Sequence, residues 1–127
     1  MKPTLALSVW FDLLGKPYAD NGRGPDAYDC VGVFLEIQRR IGNMLPDYSS
    51  DLWGLALARN DGWERVTDPQ PGDGILIRSA HPSWHIGAVC GAGYMIHAHP
   101  QCGVSRERYN ADPWHKRIEG FYRWKRE

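Results

Sequence analysis

A chain of 127 residues with fifteen basic and fifteen acidic side chains carries no net charge, which removes the electrostatic footprint of a nucleic-acid binder. Apolar residues make up 43%, too many for a disordered chain and enough for one ordinary core, and the length fits a single domain over residues 1–127. No run approaches about 18 apolar residues, so no membrane span is expected, and three cysteines without a C-x-x-C pair form neither a disulfide framework nor a zinc ribbon.

The N-terminus, M-K-P-T-L-A-L-S-V-W-F-D, is soon interrupted by Asp12 and does not read as a signal peptide. Leu7, Trp10, Phe11 and Leu14 follow the i, i+3, i+4, i+7 spacing of one apolar helix face, and Gly15 and Pro17 stop that helix. A turn-rich loop covers Tyr18 to Tyr28. A second helix begins near Cys30, with Val33, Phe34, Ile37 and Ile41 on the face of Cys30, and with Glu36 and Arg40 spaced to pair at i, i+4. A third helix is predicted over Asp51 to Arg59, with Ser50 as N-cap and Asn60-Asp61-Gly62 as its stop.

The second half changes to short apolar runs between turns: Trp63–Val66, Gly74–Arg78, His85–Cys90, Tyr94–Ala98, Gly103–Arg106 and Ile118–Trp124. Gly91-Ala92-Gly93 predicts a hairpin between the third and fourth runs. Helices followed by an antiparallel meander give an α+β fold class. The closing Arg123, Lys125 and Arg126 read as a solvated basic tail.

Cys30 stands where a loop turns into a helix. Aligned peptide dipoles and free N–H groups at that end stabilise a thiolate, so a lowered pKa and raised reactivity are expected. A thiol nucleophile needs a base, and His85, at the start of a strand, is the candidate. A third polar group must orient the imidazole. His97 and His99 both qualify, two apart on the partner strand and on one face, and alternation leaves the choice open. His81 and His115 lie in turn-rich segments and read as surface residues. Cys90 faces away from His85 on its strand and reads as core.

The segment G-K-P-Y-A-D-N-G-R-G-P-D-A-Y-D-C-V-G resembles the signature of the NlpC-type cell-wall cysteine peptidases, in which a G-x-P-Y loop precedes D-C-x-G at a helix start. P-G-D-G-I-L-I-R is similar to the family's P-G-D strand, and H-I-G-A-V-C-G-A-G-Y-M-I-H-A to its hairpin. C-G-V and the terminal G-F-Y-R also look like family positions. The match spans residues 15–124, with its motifs in order.

The resemblance implies a papain-like fold, with N-terminal helices packed on an antiparallel sheet and the catalytic cysteine at a helix N-terminus. It implies Cys30 as nucleophile, His85 as base and, through the family's twelve-residue spacing, His97 rather than His99 as orienter. Tyr18 matches a loop tyrosine that helps hold substrate, and Asp29 an acidic residue implicated in binding the substrate stem; Tyr18 has a turn-packing role as its structural alternative, and Asp29 a helix-cap role that is compatible with substrate binding. Trp84, directly before His85, walls the cleft or packs. Val31 departs from a position most often serine, making the site less polar there.

The implied reaction is amide hydrolysis through a thioester, on peptidoglycan stem peptides commonly cut between D-glutamate and a diamino acid. No cofactor and no metal are needed. An L-P-D-Y segment follows the catalytic helix, as L-P-x-Y does in bacteriophage-tail members. With no wall-binding module or secretion signal read, the expectation is a phage or prophage tail-associated hydrolase, made in the cytoplasm, borne by the virion with tail-tip partners and delivered to the wall. An injected interbacterial amidase toxin and a structural tail component with a vestigial site are the alternatives.

Overall fold

A computed structural model of the chain describes residues 4–47, 62–79 and 84–125. The helix predicted over Asp51–Arg59, its Ser50 cap, Tyr48 of the L-P-D-Y segment and His81 lie outside the described residues. In chain order come helix α1 (Leu7–Trp10), a 3₁₀ turn (Phe11–Leu13), helix α2 (Cys30–Arg40) and strands β1 (Trp63–Val66), β2 (Gly74–Arg78), β3 (Trp84–Gly91), β4 (Tyr94–His99) and β5 (Gly103–Arg108). A second 3₁₀ turn (His115–Arg117) leads into β6 (Ile118–Trp124). The six predicted strands are all present, and β3, β4 and β5 run one or two residues further.

All strand pairs are antiparallel, in the order β1-β6-β2-β3-β4-β5. The expected meander holds from β2 to β5. It is broken on the other side, where β6 inserts between β1 and β2. Arg123 fixes that insertion: its guanidinium donates to both carboxylate oxygens of Asp73, at 2.9 and 2.8 Å. Arg123 is therefore not part of a solvated tail, as its basic neighbours suggested. A bidentate charge-assisted pair is among the stronger polar contacts available to a partly buried site. The same carboxylate accepts the Gln70 N–H, so the P-G-D turn and the terminal strand are clamped by one aspartate.

The N-terminal helix departs from its predicted periodicity. After one α-turn the backbone at Trp10 opens to φ −137° and the chain tightens into the 3₁₀ turn. With that change of pitch Trp10 and Leu13 face inward, while Leu7 and Phe11 are left exposed. Gly15 ends the segment at φ +86°, a conformation that L side chains rarely adopt.

Helix α2 follows its pattern. Asp29 caps it by accepting the Gly32 N–H at 2.7 Å, a contact that typically contributes about 1 kcal/mol. Arg39 and Arg40 sit in its last turn, where positive charge suits the carbonyl end. The predicted Glu36–Arg40 pair forms at 2.8 Å, and Arg40 reaches on to Asp12 at 2.7 Å. Val31, Val33, Phe34 and Ile37 pack against Ile86, Ala88, Cys90, Ile96 and Ala98, the even-numbered face of β3 and β4. Each fully buried apolar side chain of this kind contributes roughly 1.5–3 kcal/mol. Cys90 is core, as read, while Val31 also lies in this core and so does not alter the polarity of any cleft. Ile75, Ile77, Val89, Met95 and Trp114 form a second cluster on the other face of the sheet.

Several sequence motifs prove to be joints between elements. A Cβ on Gly32 would lie 1.9 Å from the Gly22 carbonyl oxygen, so only glycine lets α2 meet the Tyr18–Tyr28 loop. The Val104 N–H donates to the Lys16 carbonyl and the Val104 carbonyl accepts the Gly15 N–H, at 2.9 Å each. This anchors the G-K-P-Y loop to the start of β5, where C-G-V lies.

Candidate active site

Helix α2, strands β2, β3 and β4 and two loops converge on one cleft of about 320 Å³, lined among others by Tyr18, Cys30, Trp84, His85, His99 and Trp114. Cys30 comes from the start of α2, below the sheet; His85 comes from the start of β3. The Asp29 cap fixes where the helix begins, and so fixes the cysteine at its first position.

His85 and His97 meet across the β3–β4 hairpin. The hairpin closes through Ala92 and Gly93, at φ 56° and 85°, the positive-φ pair of a tight type I′ turn. His85 Nε2 lies 2.7 Å from His97 Nδ1. His99 stands on the same face, but its ring centre is 6.2 Å from that of His85, and its Nδ1 accepts the Gln101 N–H. Of the two histidines that alternation left open, His97 is the one bonded to His85, in agreement with the twelve-residue spacing. Gly87, two residues after His85 on β3, makes room for this: a Cβ there would lie 3.0 Å from Met95 Sδ and 3.5 Å from His97 Cβ.

Glu107 and Trp114 complete the cluster, and sequence reading passed over both. Strand β5 pairs Ser105 with His97, so Glu107, two residues on, shares their face and lies on the diagonal. Its Oε2 is 2.7 Å from His97 Nε2 and accepts from Ser105 Oγ at 3.2 Å, while Oε1 accepts from Trp114 Nε1 at 3.2 Å. Trp114 lies flat on His85, with ring centres 5.4 Å apart and planes 20° apart. Alternation along β5 was the available signal for Glu107. No local signal marks Trp114, which arrives from a loop.

Burial dominates the titration of the site. His97 is fully buried and His85 nearly so. Burial pushes His85 down to about 3, with the neighbouring histidines adding to the effect. His97 is also lowered by burial, against the pull of Glu107. Burial raises Glu107, but bonds from His97, Trp114 and Ser105 outweigh it and hold the carboxyl below its usual range. The Cys30 thiol runs against expectation. Burial pushes it up to about 11, although N–H groups of Ile86, Val31 and Cys30 itself favour the thiolate. The helix-end effect is present, but desolvation of a charged sulfur exceeds it. Burial thus favours a neutral thiol and a neutral imidazole as the resting pair.

These shifts set a pH window for stability. His85 takes up its proton in the unfolded chain near its ordinary 6.5, so stability present above that value is lost as pH falls from 6.5 toward about 3. Cys30 works in the opposite sense: stability present below 9.0 is lost as pH rises toward about 11. Thermal denaturation across pH is expected to show a plateau between these limits, and His85→Gln is expected to reduce the acid-side loss. An acid slope unchanged by that substitution would contradict a histidine buried neutral.

The remaining candidates separate. Tyr18 and Trp84 line the cleft, and burial raises the Tyr18 hydroxyl to about 12. Asp29 does not line it. Its carboxylate is buried, capping Gly32 and bonding Arg23 Nη1 at 2.8 Å, so the cap role is present. His115 is exposed, as read. Two further cleft residues, Arg78 and Arg117, present exposed guanidinium groups at the rim.

Comparison with known proteins places the chain in a family. The model of the NlpC/P60 family matches residues 15–123. The probable endopeptidase p60 of Listeria grayi is 29% identical over 110 residues, covering 87% of this chain and 20% of that protein. A probable endopeptidase of Mycobacterium bovis is 33% identical over 85 residues, covering 67% of this chain and 20% of its own length. The chain therefore spans about a fifth of these relatives. Among solved structures, a lipoprotein-like NLP/P60 family protein from Staphylococcus aureus superposes with a TM-score of 0.74 at 20% identity, over 95% of this chain and 40% of that one. The NlpC/p60 domain of the peptidoglycan hydrolase SagA superposes with a TM-score of 0.67 at 18% identity, over 92% and 94% of the two chains. The fold is thus the papain-like α+β fold of those domains, and with a family match over residues 15–123 the chain belongs to the NlpC/P60 family.

Proposed function

We propose that this chain is a cysteine peptidase that hydrolyses peptidoglycan stem peptides, with Cys30 as nucleophile, His85 as base and His97 as its orienter. The observation that carries the reading is one cleft holding a cysteine at a helix start and a histidine already bonded to a second histidine. Cys30 Sγ attacks the amide carbon while its proton passes to His85. The oxyanion faces the Cys30 N–H. Collapse breaks the C–N bond, the amine leaves with the proton from His85, and water then hydrolyses the thioester. No step calls on a cofactor or a metal.

Tyr18 and Trp84 are the substrate-facing walls. The rim arginines Arg78 and Arg117 suit the free carboxylates of a stem cut between D-glutamate and a diamino acid. Delivery by a phage or prophage tail, with tail-tip proteins as partners and the wall as destination, rests on the L-P-D-Y segment at residues 45–48. A second reading, an amidase toxin injected into competitors, shares the same chemistry.

Digestion of purified stem peptides, read by mass spectrometry, tests the function. A single new amine and carboxyl at the D-glutamyl bond is the expected result. A cut in the glycan strand instead, or none in stems of several wall types, would sink the reading.

A further inference from the structure

Glu107 holds three donors on two oxygens: His97 Nε2 and Ser105 Oγ on one, Trp114 Nε1 on the other. An ionised carboxylate only accepts. His97 must then keep its proton on Nε2, which leaves Nδ1 of the neutral ring as an acceptor. That Nδ1 is 2.7 Å from His85 Nε2, so His85 must donate there. The remaining nitrogen of His85, Nδ1, is left bare to accept a proton. The same carboxylate holds Trp114, whose ring lies flat on His85 and fixes its plane.

We propose that Glu107 is a positioning residue of this site: through His97 and Trp114 it dictates which nitrogen of His85 is the base and which way that nitrogen faces. Its chemical consequence rests on the Cys30–His85 peptidase reading; the tautomer assignment does not. A purely structural Glu107, tying β5 to β4, would leave the ring protons indifferent to its charge. Glutamine at 107 can accept from His97 or donate to it, so both His97 tautomers become available. In the second, His97 Nδ1–H points at His85 Nε2, the His85 proton moves to Nδ1, and no base remains.

Ring-nitrogen NMR of the ¹⁵N-labelled chain near pH 7 tests this without substrate. The expected wild-type pattern is protonated Nε2 and bare Nδ1 on both His85 and His97. Glu107→Gln should give a mixed or inverted pattern. In parallel, kcat on stem peptides should fall roughly 10- to 100-fold, the scale known for the carboxylate partners of metal-bound histidines, with KM unchanged. Glu107→Asp, which keeps the carboxylate, should restore part of the loss. A wild-type His97 protonated on Nδ1 would overturn the proposal before any variant is made. So would a Glu107→Gln chain with the wild-type pattern and wild-type kcat, or one altered in KM alone. If Cys30→Ala still cut stems, the peptidase reading would fall while the ring-nitrogen spectra continued to decide the role of Glu107.

Discussion

Cys30→Ala is expected to lose stem-peptide cleavage by on the order of 10⁶-fold, the scale seen when the nucleophile of a coupled catalytic unit is removed. The reason is local. Without Sγ the thiol that forms the acyl intermediate is gone, and a buried His85 is a poor activator of water by comparison. The fold should survive. Cys30 is half-buried and its helix is held by the Asp29 cap and by Val33, Phe34 and Ile37, none of which depends on the sulfur. A melting temperature near that of the wild type, with cleavage gone, is the expected pair of measurements. Cleavage near the wild-type rate would remove the cysteine mechanism.

The second large effect separates two histidines on one strand. His97→Ala should cost roughly 100-fold or more in kcat, up to the ~10⁴-fold that a base held in the wrong tautomer loses. His99→Ala should change kcat only slightly. His97 is fully buried and bonded to both His85 and Glu107, whereas His99 is half-exposed and its bond is to the Gln101 backbone. Because His97→Ala also leaves a cavity and frees Glu107, the rates are to be compared per folded molecule, with melting curves alongside. Equal losses at the two positions, or the reverse order, would show that the His85–His97 bond does not set the base.

The active-site chemistry contains an opposition that neither residue shows alone. A helix N-terminus favours a thiolate, yet burial of Cys30 pushes its thiol the other way. Burial likewise keeps His85 neutral. Burial in the cleft therefore favours the proton on sulfur at rest. In the proposed reaction that proton moves when a substrate carbonyl supplies a place for the developing charge, near the N–H groups that already point at Sγ. The pH window of stability and the ring-nitrogen pattern probe the two halves of this resting state independently.

The amino-acid sequence by itself determined what local rules and ordered motifs can carry. Alternation and turn residues located all six strands, and the Asp29–Cys30 boundary located α2, because capping and period-2 patterning act within a few residues. The motif order placed Cys30, His85 and His97 in a single family frame. What the sequence left open were matters of partnership across the chain. Helical spacing at Leu7, Trp10, Phe11 and Leu14 could not foresee that the helix tightens after one turn, since packing against the core kept Trp10 and took Leu13 in place of Leu7 and Phe11. Arg123 looked like a tail cation until β6 brought it to Asp73, fifty residues away in sequence. Asp29 read as a helix cap, but its bond to Arg23 in the preceding loop came only with the fold. Glu107 and Trp114 became part of the site only through the β4–β5 register and a returning loop. Only the tertiary structure decided the protonation of Cys30 and His85, because desolvation is a property of everything packed around a group and not of the residues beside it in the chain.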